Sequence, residues 1–279
     1  MTGASGSKIP IALTIAGSDS SGGAGIQADL KTFTALGVYG ATVITALTAQ
    51  NTRGVTGVEV SAPAFVAAQL RAVLSDLDVG AAKTGMLASR AIVEALAAEL
   101  AASAPTLPLV VDPVMVATSG DKLIDDEAVD AMKQLILPRA LVITPNLPEA
   151  ARLLEAPMAE SEVEAERQLE ALARLGSKAV LLKGGHGSGG EAVDFLWHAG
   201  RVTRLASPRI ATRNTHGTGC TLSAAIAALV AAGGDLDTSV ARAKAYVHRA
   251  IEAAAGLAIG KGHGPVDHLY ALRTAPPPV

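Results

Sequence analysis

Short apolar runs alternate with helical patterns along most of this chain, and that alternation restricts its fold more than any other feature. Residues 11–15 (IALTI), 41–49 (ATVITALTA), 79–85 (VGAAKTG), 107–112 (LPLVVD), 140–146 (ALVITPN) and 178–185 (KAVLLKGG) read as strands. Helical periodicity fills 24–36, 63–77, 89–102, 126–137 and 161–176. This succession predicts right-handed crossovers and an α/β fold, with a mostly parallel sheet covered by helices on both faces. The pattern then changes. Residues 191–200 and 201–210 read as a hairpin with a Gly-containing turn, an antiparallel edge. Helices at about 218–232 and 237–255 close the fold. One domain is expected over 9–272, between flexible tails at 1–8 and 273–279.

Charge and cysteine content exclude several functions. The chain has 23 basic and 26 acidic residues, a net charge of −3. That leaves no basic footprint for nucleic acid or anionic lipid. No apolar run approaches a membrane span, and the apolar N-terminal stretch lacks the basic flank of a signal peptide. A single cysteine, Cys220, rules out an internal disulfide and a cysteine-built metal site, and its natural setting is a reducing cytoplasm. No histidine spacing suits zinc.

In open α/β sheets ligands bind beyond the carboxyl ends of the strands. Polar residues cluster at those predicted ends: Gly17–Asp19, Gln50–Asn51, Lys83, Asp112, Thr144–Asn146 and Lys183–His186. Asp112, followed by Pro113 in an extended exit, suits Mg²⁺ or a substrate amine as well as a turn cap. Asn146 and Glu149 have the Asn-x-x-Glu spacing of a helix capping box, and equally the chemistry of a water-mediated Mg²⁺ site. Lys183 ends a buried strand beside two glycines, where it is suited to neutralise phosphate.

Two glycine-rich segments matter most. GSDSSGGAG (17–25) contains Gly23-x-Gly25-x-x-Ala28, a partial dinucleotide fingerprint. The acidic residue that a ribose needs is missing, because no Asp or Glu lies between Asp29 and Glu59. A P-loop is excluded too, since GLAIGKGH (256–263) has the wrong spacing. The segment NTHGTGC (214–220) stands where an Ala-rich helix begins. The first turn of a helix has unpaired N–H groups and a partial positive charge, and Gly217 and Gly219 would let an anion approach them. That field is expected to lower the pKa of Cys220. A small buried core residue is the alternative reading of the same thiol, and on physical grounds the two stand equal.

The motifs AGSDSSGGAGIQADLKTFTALGVYGATVITALTAQNT, KTGML, DPVM, TPNLPEA, LLKGGH and THGTGCTLSAAIAA, in this order, resemble the hydroxymethylpyrimidine/phosphomethylpyrimidine kinases of thiamine biosynthesis, within the ribokinase-like superfamily. The resemblance runs from Ile11 to Tyr270. It implies a three-layer α/β/α domain that uses ATP and Mg²⁺, with the need for a monovalent cation left open, and that forms a homodimer. The acceptor it implies is 4-amino-5-hydroxymethyl-2-methylpyrimidine, phosphorylated twice. Gly17, Ala24, Asp29, Gln50, Met86 and Val114 would form the pyrimidine pocket. Thr144, Asn146, Lys183, Thr218 and Lys244 would serve ATP, with Asp112 and Glu149 holding Mg²⁺ through water. Lys183, Gly217, Gly219 and Cys220 would form the catalytic group, with Cys220 where many sugar kinases of the superfamily place an Asp base. A pyridoxal or pyridoxine kinase of the same fold, and a non-catalytic pyrimidine sensor, are the rival readings. The loops near 115–124 and 185–190 have the composition of a lid.

Overall fold

In the computed structural model the described residues are 8–115, 124–184 and 189–273. Both expected tails fall almost wholly outside them, as do His186 and most of the two expected lid loops.

The chain opens with Ile11–Ala16 (β1), Gly25–Ala35 (α1), Tyr39–Ile44 (β2), Ala46–Asn51 (β3) and Gly54–Val60 (β4). Pro63–Leu74 (α2), Ala81–Thr84 (β5), Arg90–Ser103 (α3), Leu109–Val111 (β6) and Asp126–Leu135 (α4) follow. Then come Val142–Ile143 (β7), Leu147–Leu154 (α5), Glu162–Ala173 (α6) and Ala179–Lys183 (β8). The hairpin Glu191–His198 (β9) and Arg201–Pro208 (β10) leads to Thr218–Ala231 (α7) and Leu236–Ala254 (α8). Among the described residues, no helix is long and apolar enough to cross a membrane.

The main sheet has eight strands in the order β10-β9-β8-β7-β6-β5-β1-β2. Pairing is parallel from β2 through β8 and antiparallel at β9 and β10, which is the expected edge hairpin. Alternate side chains of the inner strands feed two separate apolar layers, as the two-residue period of a strand requires. Leu13, Ile15, Leu109, Val111, Val180 and Leu182 pack into the layer that contains residues of α2 to α6. Ala12, Val110, Ala179 and Leu181 face the layer that contains residues of α1, α7 and α8. Helix α7 is apolar over most of its surface because it is buried against β1, β5 and β6 on one side and α1 and α8 on the other. After β2 the chain crosses back, so β5 joins β1 on its opposite edge. This reversal opens a crevice at the carboxyl ends of β1 and β5.

Two strand expectations need correction. The run 41–49 is not one strand. It divides at Thr45 into β2 of the main sheet and β3, which pairs with β4 in a separate two-stranded antiparallel sheet. Thr45 is buried, its hydroxyl donates to the Met86 carbonyl at 2.6 Å, and its N–H donates to the Ala16 carbonyl at 3.0 Å. The Ala16 bond is the last rung of the β1–β2 ladder, the Met86 bond anchors the side chain where the chain then leaves the main sheet, and no Gly or Pro marks the break. β7 has only two residues, since Pro145 offers no N–H and Asn146 already caps α5. The capping box is present: Glu149 N–H donates to Asn146 Oδ1, and Asn146 N–H to Glu149 Oε2, both at 2.8 Å.

One ion pair is enclosed between β5 and α1. Lys83 Nζ lies 2.9 Å from Asp29 Oδ2, and both side chains have no solvent exposure. Thr14 Oγ1 donates to the same carboxylate at 2.6 Å. Breaking one half of such a pair strands a buried charge. Lys83→Met is therefore expected to cost about 3–5 kcal/mol in denaturant unfolding, while Lys83→Met with Asp29→Leu recovers most of it.

Candidate active site

A cleft of about 720 Å³ occupies the crevice at the carboxyl ends of the strands. The loop after β1 supplies Gly17, Ser18, Asp19 and Ala24, and β3 supplies Thr48 and Gln50. Gly85 and Met86 follow β5, and Asp112, Val114 and Met115 follow β6. Asn146 and Glu149 of the capping box, Lys183 at the end of β8, and residues 215–220 at the start of α7 also line it. Lys244 and Ile251 of α8 complete the wall.

The turn into α7 is shaped by glycine. Gly217 has φ +78° and caps the helix without any side-chain hydrogen bond. A Cβ there would sit 1.8 Å from the Gly23 carbonyl oxygen. Gly219 faces the charged cluster, where a Cβ would lie 3.2 Å from Lys183 Nζ. The helix therefore presents an uncapped, positively polarised N-terminus to the cleft.

Charges below that turn are tightly held. Lys183 Nζ lies 2.9 Å from Asp112 Oδ1 and 3.8 Å from Glu149 Oε2. Thr144 Oγ1 donates to Asp112 Oδ1 at 3.1 Å, and Ser223 Oγ lies 3.3 Å from Oδ2. Burial pushes the Asp112 carboxyl up, but Lys183 and Lys83 outweigh it and hold the group below its ordinary range. Glu149 behaves in the opposite way. Burial pushes it up to about 7, the nearby Asp112 charge adds to this, and Lys183 offsets only part. Lys183 stays an ammonium, since its carboxylate neighbours more than compensate its burial.

The site residues that the resemblance implies meet in this cleft, with two exceptions. Asp29 does not line it but lies beneath, engaged with Lys83 and Thr14. Thr144 is fully buried and reaches the cleft only through Asp112. Lys244 Nζ is held at 2.7 Å by Asp194 and at 3.0 Å by the Ala192 carbonyl, while Asp194 also accepts the Gly184 N–H. His216 and Arg209 also line the cleft, and neither side chain stands out in the sequence. Asp19 and Lys83 stand out there only as polar strand ends, although a Lys inside the apolar strand AAKT already signals a buried partner.

The expected low pKa of Cys220 is overturned. Burial pushes its thiol up to about 11, and Asp29 and Asp112 add to the rise. Lys83 and the Gly25 N–H pull the other way without reversing it. Desolvation of an anion and two nearby carboxylates outweigh the field of the helix end. Cys220 is the only thiol in the chain, so its alkylation by iodoacetamide isolates the group. The rate is expected to climb steadily from pH 8 to 10.5, without the plateau that an ordinary thiol shows above about pH 9.

Sequence comparisons with known proteins agree on one family, and solved structures of similar fold include pyridoxal kinases. The family model described as phosphomethylpyrimidine kinase matches residues 19–267. A hydroxymethylpyrimidine/phosphomethylpyrimidine kinase of Rhizobium meliloti is 58% identical over 260 residues, which span 93% of this chain and 97% of that protein. Among solved structures, an ADP complex of Bacillus subtilis pyridoxal kinase superimposes with a TM-score of 0.87 at 36% identity, covering 96% of this chain and 100% of that one. Phosphomethylpyrimidine kinase from Clostridium difficile gives a TM-score of 0.76 at 43% identity, covering 88% and 100%.

Proposed function

Because this chain belongs to the phosphomethylpyrimidine kinase family, we propose that it transfers phosphoryl groups from ATP to 4-amino-5-hydroxymethyl-2-methylpyrimidine and then to the monophosphate, yielding the pyrophosphate for thiamine biosynthesis. One observation carries the reading at the level of the site: the N-terminus of α7, without a side-chain cap, opens beside Lys183 and Asp112 in the same cleft that Gln50 and Met86 line.

Phosphoryl transfer needs little covalent chemistry from the protein. It needs in-line placement and stabilisation of charge on the transferring oxygens. The backbone of Gly217–Cys220 is the cradle for that charge, and Lys183 is its cationic neighbour. Asn146, Thr218 and Lys244 stand on the nucleotide side, and Thr144 acts there by fixing Asp112. On the ring side, the Gln50 amide can both donate to and accept from an aminopyrimidine edge, and Met86 packs on its face. Gly17, Ala24 and Val114 complete the pocket. Asp29 supports it from below through Lys83.

Among the described residues, no group of three His, Cys, Asp or Glu side chains is arranged to hold a metal ion. Asp112 and Glu149 are two carboxylates in one cleft, which fits Mg²⁺ because that ion keeps most of its waters and takes few protein ligands. Bound there, it would neutralise charge on the phosphate oxygens. We place the reaction in the cytoplasm, in keeping with a lone unpaired thiol. The enzyme acts as a homodimer in this reading, and the exposed Val58 and Val60, which share one face of the two-stranded sheet, are apolar surface for that contact. Sedimentation should give a dimer that Val58→Asp with Val60→Asp dissociates.

Incubation with Mg-ATP and the pyrimidine should yield mono- and diphosphorylated products by mass, and absence of both would refute the assignment. Only the first transfer removes a proton from an alcohol, and because burial pushes the Cys220 thiol up to about 11, we assign that thiol to the lining of the charge cradle and not to proton removal. Cys220→Ala should therefore slow the two transfers by similar factors, within about threefold of each other. A loss confined to the first transfer would return Cys220 to proton transfer.

A further inference from the structure

His216 and Asp19 are 197 residues apart in sequence, yet they meet in the wall of the cleft. His216 Nε2 lies 2.7 Å from Asp19 Oδ2, and the two residues are only 5% and 1% exposed. A carboxylate accepts, so Nε2 carries the proton of this bond.

Each partner organises a different part of the site. Asp19 Oδ1 accepts the Ser21 N–H at 2.8 Å and the Ser21 hydroxyl at 2.7 Å. Its Oδ2 accepts the N–H groups of Ala24 at 2.8 Å and Gly23 at 3.2 Å. One carboxylate thus gathers the whole loop that runs from β1 into α1 along the ring side. Burial pushes this carboxyl up, but hydrogen bonds from His216 and Ser21 more than reverse that and hold it well below the usual range. On the other side, the His216 N–H donates to the Gly264 carbonyl at 3.0 Å, and its own carbonyl accepts from Val266 at 3.4 Å. The next residue is Gly217, which opens the phosphoryl-side turn.

The two segments also pack closely at two glycines. A Cβ at Gly23 would come within 2.5 Å of the His216 ring, besides the clash that one at Gly217 would make with the Gly23 carbonyl. So little clearance means that a small slide of one loop displaces the other. Resting on the kinase reading above, we infer that Asp19 and His216 are positioning residues for the transfer. Their bond locks the ring-side loop to the turn at α7, and so holds the acceptor group in line with the charge cradle.

The test uses His216→Ala, His216→Gln, whose amide can donate near the position of Nε2, and Asp19→Ala with His216→Ala. Kinetic constants for both transfers are measured per folded protein, and amide hydrogen exchange is followed in peptides covering 20–24 and 217–220. His216→Ala should lower kcat for both transfers by roughly 10- to 100-fold, while the acceptor KM stays within about threefold. His216→Gln should restore at least about tenfold of that loss, and the double variant should be little worse than the single one. Exchange at 20–24 should quicken in His216→Ala, although the substitution lies far away in sequence. Parental kcat in His216→Ala, a loss that His216→Gln fails to relieve, or unchanged exchange at 20–24 would overturn the inference. If the parent protein does not phosphorylate the pyrimidine, the kinase reading fails by itself, and exchange at 20–24 still decides whether the pair couples the two loops.

Discussion

The approach of the backbone at Gly217 to the backbone at Gly23 is the constraint on which this site depends. No side chain fits between them, since a Cβ at Gly217 would overlap the Gly23 carbonyl. That contact sets the start of α7 against the start of α1. Gly25, the first residue of α1, has φ +55° and its N–H reaches the Cys220 sulfur. Two helix N-termini therefore converge on one corner of the cleft, and both contribute partial positive charge there.

The cations and carboxylates beneath this corner follow from it. Buried charges are costly unless each finds a partner of opposite sign and filled hydrogen bonds. Here they alternate: Asp29 with Lys83, then Asp112 with Lys183, then Glu149 within reach of the same ammonium. Asp112 is satisfied by a lysine and flanking hydroxyls and stays ionised, whereas Glu149 is shielded by burial and is poised near neutrality. The same low-dielectric setting explains why Cys220 keeps its proton. A helix end helps an anion only where the anion is not already crowded by others, and this thiol has Asp29 and Asp112 as neighbours.

Much of the architecture was legible in the chain. The βα alternation, the antiparallel edge hairpin and the capping box at Asn146 all rest on local rules of periodicity and hydrogen bonding. The division of 41–49 was not legible, because it follows the last ladder bond at Thr45, whose hydroxyl is anchored on Met86, 41 residues away in the sequence. Asp29 shows a related limit. Its motif suggests a pocket residue, but helix α1 turns it inward to Lys83 of β5, and only the packing of α1 on the sheet reveals that. His216 belongs to the THGTGC motif, but what its side chain does comes from a carboxylate 197 residues away.

Sequence alone determined which residues end the strands, where glycine permits a backbone to come close, and which helix begins at a glycine turn. These depend on neighbours within a few positions along the chain. Tertiary structure decided the ionisation of Cys220 and Glu149, the withdrawal of Asp29 from the cleft, and the meeting of Asp19 with His216. Those depend on burial and on charges delivered by other elements, and electrostatics across a fold is set by distance in space, which a linear order of residues does not contain.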